Sequence, residues 1–138
     1  MKKIAENVNN AFRRLRRIDY HNQCRLYNTE ATIISSNCTG GFLMHWLGMR
    51  FNTPFINLAL NDKDFILMLE HWDEFLEYPI IEVKDHEKTY PVGESIFGIK
   101  LHFVHYRTFD EAMRKFEERK RRINQDNFGV LLSNWRGA

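Results

Sequence analysis

Cysteine is scarce in this sequence: Cys24 and Cys38 are its only two. Two thiols permit a single bridge, so a disulfide-stapled secreted scaffold is excluded and the cytoplasm, with reduced thiols, is the expected compartment. No apolar run approaches the roughly 18 residues that a membrane span requires, and no apolar stretch follows Met1, so neither spanning nor export is supported. A dominant charge is missing too. Twenty Lys and Arg against eighteen Asp and Glu leave a net charge of +2, too small to demand a nucleic-acid partner. Any electrostatic message must come from clustering. The glycines form neither a Walker loop nor G-x-G-x-x-G. No Cys and His set has zinc-finger spacing, and no carboxylate pair is spaced as a glycosidase dyad. Asp62 and Asp64 stand near a helix start and Asp126 precedes a turn, so no metal and no cofactor is called for.

What is present suits a packed core. Hydrophobic residues make up 43% of the chain and phenylalanines number eleven, which excludes disorder. At this length one domain, residues 1–138, is expected to bury roughly two thirds of its unfolded surface.

The periodicity predicts an amphipathic first helix. Ile4, Val8, Phe12, Leu15 and Ile18 recur at steps of four and three, with Arg13, Arg14, Arg16 and Arg17 on the other face. Residues 19–29 read as a loop, and residues 1–30 together as a basic amphipathic helix and loop. A short strand from Thr32 then runs into a polar, glycine-ended corner and a helix over 42–49, closed by Gly48. A second strand is predicted over 55–58. Asn61 caps a helix reaching Tyr78 along the stripe Phe65, Leu69, Trp72 and Leu76, and Pro79 ends it ahead of a strand over 80–84. Residues 85–95 read as a charged connection and 96–106 as the longest strand, with Ile99, Leu101 and Phe103 on one face. Thr108 and Glu111 make a capping box opening a helix through Ala112, Phe116 and Ile123, and a last strand spans 128–133. The class expected is α/β: a mostly parallel sheet with one antiparallel hairpin and helices on its faces. The chain stops where a further helix would follow, the pattern of a truncated domain.

Ligands of open α/β sheets collect beyond the carboxyl ends of strands. Asn37 and Cys38, Asn57, His105 and Tyr106, and Ser133 and Asn134 stand at those ends, a hydrogen-bonding set suited to a sugar-like or phosphorylated ligand. Cys38 precedes a helix start that would lower a thiol pKa and make it a nucleophile, against its reading as a small buried apolar residue. Gly40 and Gly41 offer backbone N–H groups to a phosphate, against plain turn geometry. His102 and His105, three apart on a strand, point to opposite faces. That leaves His105, grouped with Leu101 and Phe103, as the better acid/base candidate, against its reading as a hydrogen-bonded core histidine. His45 and His71 each read as ordinary helix-surface residues, with the alternative for His45, one turn into its helix, of facing the pocket. The clusters at 13–17 and 119–122 read as solvated or dipole-paired faces, or as a joint anion surface.

Several blocks in order carry a resemblance: Ser36-Asn-Cys-Thr-Gly-Gly41, Phe51-Asn-Thr-Pro-Phe-Ile56, Tyr90-Pro-Val-Gly93, His102-Phe-Val-His-Tyr106 and Arg119-Lys-Arg-Arg-Ile-Asn-Gln-Asp-Asn127. Together, over about 32–134, they resemble a bacterial domain of unknown function found in exopolysaccharide and capsular polysaccharide biosynthesis proteins. Thr39 stands where that family often has an aromatic, and the family continues past the last strand. The resemblance implies work beside sugar transferases and supplies no catalytic residues.

The leading expectation is therefore a cytoplasmic polysaccharide-biosynthesis protein. It would bind a sugar-nucleotide, a sugar-phosphate or a lipid-linked saccharide and transfer a glycosyl or substituent group. Catalysis would fall to His105 and Cys38, and binding to Asn37, Gly40, Gly41, His45, Asn57, Tyr106, Ser133 and Asn134. The alternative is a non-catalytic assembly partner that sets its basic helices against a partner protein or an anionic membrane at its inner face. Nucleic acid is the weakest reading, since aromatics are not interleaved with either basic cluster.

Overall fold

A computed structural model describes residues 2–15 and 25–133. Among these residues the elements run in order: α1 (Lys2–Leu15), β1 (Thr32–Ser35), α2 (Thr39–Trp46), α3 (Asp62–Glu70), α4 (Trp72–Glu77), β2 (Ile81–Val83), β3 (Val92–Glu94), β4 (Lys100–His102), α5 (Phe109–Lys120) and β5 (Phe128–Leu131). Arg16, Arg17, Ile18, the beginning of the expected 19–29 loop, Cys24 and Asn134 lie outside the described residues.

The α/β class holds, with a parallel part and an antiparallel part. β1 pairs in parallel with β5, Thr32 opposite Phe128, and β2, β3 and β4 form a three-stranded antiparallel sheet. The hairpin thus gains a third strand, and the parallel part comprises two strands.

Capping chemistry sets the helix starts. Asn61 accepts from the Asp64 N–H at 2.8 Å, and Thr108 Oγ1 accepts from the Glu111 N–H at 3.2 Å. Past Ala112 and Phe116, both buried, α5 carries Arg119 and Lys120 onto the edge of its inward face.

Three expected elements come out differently. The helix from Asn61 breaks at His71, whose ψ of 39° ends α3 and starts α4. The break rotates α4 so that Phe75, rather than Leu76, joins Phe65 and Met68 in the core. Residues 55–58 are no strand. The Ile56 N–H turns back to the Pro54 carbonyl and Asn57 has φ of +61°, so only Ala59 bridges to His102. Residues 96–106 are no long strand either. A 3₁₀ turn over Ile96–Gly98 precedes β4, and the chain turns again after it, with the Val104 N–H on the His102 carbonyl and the Tyr106 N–H on that of Phe103. Ile99, Leu101 and Phe103 are all fully buried, but the alternation stops there and His105 is exposed.

Aromatic rings dominate the main core. Phe55 sits within 6.3 Å of the Trp72, Phe75 and Phe116 rings, and Phe103 meets Phe116 edge-on. A smaller cluster of Met44, Met49 and Ile56 lies under α2, with Phe51 against it. Thr32, fully buried, ties β1 to two distant segments: its hydroxyl donates to the Asn52 carbonyl and accepts from the Asn124 N–H, each at 2.8 Å.

Candidate functional site

The corner between β1 and α2 is held by side chains that turn back on the backbone. Asn37 Oδ1 accepts from the Thr39 N–H at 2.9 Å, Ser35 Oγ from the Gly40 N–H at 3.2 Å, and the Cys38 carbonyl from the Phe42 N–H at 3.2 Å. Most N–H groups at this helix start are therefore already engaged, which leaves little of a phosphate cradle. Gly40 faces inward: a Cβ there would stand 2.6 Å from Ser35 Cβ, so α2 packs on β1 only because that position is glycine.

Beside the corner lies a cavity of about 210 Å³ lined by Cys38, Gly41, Phe42, His45, Phe51, Ile56, Asn57 and Arg119. It draws four of the expected residues together, Cys38, Gly41, His45 and Asn57. Tyr106 supports it from behind, donating to the Ile56 carbonyl at 3.1 Å and accepting from Arg119 Nη1 at 2.9 Å. Burial pushes the Tyr106 phenol up, against the pull of the Arg119 charge. The hydroxyl stays protonated and fills both roles.

Arg119 was not singled out for this pocket by the sequence, where it reads as one of four cations at a helix end. Each of those cations has its own task. Lys120 Nζ donates to the Leu76 carbonyl and pairs with Glu117, Arg122 pairs with Glu118 and reaches the Phe51 carbonyl, and Arg121 is the exposed helix cap. Arg119 enters the pocket, its guanidinium 5.8 Å from the Phe51 ring centre. Among the described residues no carboxylate forms an ion pair with it, and none lines the cavity. The available signal was spacing: position 119 lies three residues past buried Phe116, on the inward stripe of α5.

The other expected residues are placed elsewhere. His105 does not line the cavity. Its backbone N–H reaches the Asn57 carbonyl at 3.4 Å while the residue is exposed, so His45 is the imidazole of the pocket. Asn37 holds the corner. The Ser133 N–H donates to Ser36 Oγ at 3.2 Å, fastening the end of β5 to that of β1. Burial pushes the Cys38 thiol up, outweighing the hydrogen bond to its own backbone, and Sγ lies 3.9 Å from the Leu58 carbonyl. The lowered thiol pKa expected of a helix-start nucleophile is not what this environment produces.

A wider groove of about 500 Å³ runs between the β2–β3 connection and the start of α5. Its walls mix Glu82, Asp85 and Asp110 with Lys84, Lys88 and Arg107, so it presents no single charge, and none of the expected site residues lines it. Among the described residues no three His, Cys, Asp or Glu side chains converge as metal ligands, and no helix is long and apolar enough to cross a membrane.

The sequence profile of a family described as a domain of unknown function, DUF1919, matches residues 8–138. A Haemophilus influenzae protein described as uncharacterized is 38% identical over 116 residues, which cover 84% of this chain and 55% of that protein. The chain thus spans about half the length of this bacterial relative.

Proposed function

The chain belongs to the DUF1919 family, and we propose that this member binds the phosphate-bearing end of a saccharide in the Arg119 pocket, in the service of surface-polysaccharide synthesis. One observation carries the ligand chemistry: a guanidinium without a carboxylate partner among the described residues, steadied by Tyr106, in a cavity whose walls bring no negative charge. An oxyanion is the natural partner of such a group. Phe42 and Phe51 offer apolar faces to the C–H side of a sugar ring, and Asn57 and His45 offer hydrogen bonds to its hydroxyls. At about 210 Å³ the cavity is smaller than the roughly 300–1,000 Å³ of a drug-sized site, which suits one sugar or phosphate unit rather than a whole nucleotide-sugar. The polysaccharide setting rests on the resemblance carried by the blocks at 36–41, 51–56, 90–93, 102–106 and 119–127. If a group is transferred here, His45 is the side chain in place to take a proton from an acceptor hydroxyl.

Thermal shift with sugar 1-phosphates, matching neutral sugars and inorganic phosphate tests this. A sugar phosphate at about 100 times its Kd raises stability by about 2.7 kcal/mol, the neutral sugar does little, and Arg119→Gln loses about half of that gain or more. Equal shifts with neutral sugars, or a shift undiminished in Arg119→Gln, would sink the proposal.

A further inference from the structure

The first helix leaves its apolar stripe in the open. Ile4 is 69% exposed, Val8 63% and Phe12 49%, spaced four apart along one side of α1. The same helix carries Lys2, Lys3, Arg13 and Arg14 against the single acid Glu6. A basic helix with a solvent-facing apolar stripe, too short and too charged to cross a bilayer, has the composition of one that lies in the surface layer of an anionic membrane. Pairing this face with a second copy of itself would set like charges side by side. An anionic lipid layer accepts the apolar side chains and the cations together.

The far end of α1 lies beside the pocket. Arg13 sits 4.8 Å over the Trp46 ring, Trp46 stacks on Phe42 with ring centres 6.0 Å apart, and Phe42 is a wall of the Arg119 cavity. Both rings are exposed, Phe42 at 51% and Trp46 at 43%, which suits amphipathic aromatics at a membrane interface. We infer that α1 lies along an anionic membrane surface with the Phe42–Trp46 edge at headgroup level, so that the Arg119 pocket opens onto the lipid and takes a lipid-linked saccharide phosphate. The choice of a lipid-linked ligand rests on the anion reading of that pocket; the membrane contact of α1 does not.

Co-sedimentation of the full chain with vesicles separates the two. Wild type is expected to bind vesicles of phosphatidylcholine with phosphatidylglycerol at least about tenfold more tightly than phosphatidylcholine alone, and to lose binding as salt rises. Val8→Glu and the pair Lys3→Glu, Arg14→Glu, all on an exposed helix face, are each expected to lose about tenfold or more while thermal unfolding is unchanged. Brominated lipids are expected to quench tryptophan emission in wild type, and Trp46→Phe to remove most of that quenching. Equal binding to neutral vesicles, full binding by Val8→Glu, or a concentration-dependent dimer that Val8→Glu abolishes would overturn the membrane contact. Quenching unchanged in Trp46→Phe would overturn the orientation. With polyprenyl phosphate replacing phosphatidylglycerol at equal charge, wild type is expected to bind more tightly still and Arg119→Gln to lose that preference. No preference in wild type would overturn the lipid-linked ligand alone.

Discussion

Arg119 donates to the hydroxyl of Tyr106 at 2.9 Å, and that hydroxyl donates in turn to the Ile56 carbonyl at 3.1 Å, so the pocket's cation is held by a neutral group that leaves its charge uncompensated. A carboxylate in the place of Tyr106 would hold the guanidinium as firmly and cancel it. The arrangement predicts graded losses of anion affinity. Removing the charge with Arg119→Gln should forfeit a charge-assisted bond of about 1.5–3 kcal/mol, on the order of tenfold to a hundredfold in Kd. Tyr106→Phe should cost less, because the charge remains and only its steadying contact goes. Calorimetric titration with a sugar phosphate checks the order; a larger loss in Tyr106→Phe than in Arg119→Gln would contradict it.

Asn57 occupies left-handed backbone at the rim of the pocket, with φ of +61°. Asparagine tolerates that region and alanine resists it, so Asn57→Ala should destabilise by about 1–2 kcal/mol. Asn57→Gly should keep stability and lose the side-chain amide. Chemical denaturation read beside sugar-phosphate binding separates a backbone role from a ligand role at this one position.

Gly40→Ala should be costly for a different reason. The new methyl would stand 2.6 Å from Ser35 Cβ, and overpacking of this kind typically costs about 1–3 kcal/mol. Adding Ser35→Gly should recover part of the loss, a coupling that a double-mutant cycle in urea measures directly.

Thr32→Val keeps the shape of a fully buried side chain but strands the Asn124 N–H and the Asn52 carbonyl. The expected cost is about 1–3 kcal/mol for leaving buried polar groups unpaired. It should be visible as a lower urea midpoint at unchanged slope.

His102 sets a pH dependence. Burial lowers its pKa below the ordinary 6.5, with Lys88 adding to the effect, and its Nδ1 is buried without a hydrogen-bond partner. The unfolded chain therefore binds this proton more readily than the folded one. The stabilisation is fully present above pH 6.5 and falls away as pH drops from there to the lowered folded value. Melting curves at about pH 5 and pH 7 should differ less in His102→Gln than in wild type. Equal pH sensitivity in the two proteins would assign it to other groups.

How far the sequence could be read depended on whether a local rule was at work. The caps at Asn61 and Thr108, the buried face of Ile99, Leu101 and Phe103, and the strand that meets the α2 corner all obey short-range patterns, and all are present. Where the reading failed, tertiary packing had overruled periodicity. The break at His71 brings Phe75 into the core, and the turn after β4 ends the alternation that had placed His105 with Phe103. The corner residues divide in the same way. Asn37 and Gly40 serve the turn itself, a choice their identity leaves open, while Gly41, His45 and Asn57 reach the cavity. Arg119 was hidden among like neighbours. Its role depends on which side of α5 meets Tyr106, and that is decided far away in the chain.

The parallel pairing of β1 with β5 also has a temporal side. Ser36 and Ser133, whose mutual hydrogen bond closes the carboxyl end of that pair, are 97 residues apart, and among the described strands β1 has no other neighbour. A ribosome making this chain releases β1 well before its partner. Until β5 emerges, Ile33 and Ile34 have no strand to pair with, and a contact closed over so long a loop is slow to form. Chaperone demand during synthesis should therefore fall on this strand, and the ligand corner, which hangs from its end, should take shape only after β5 is made.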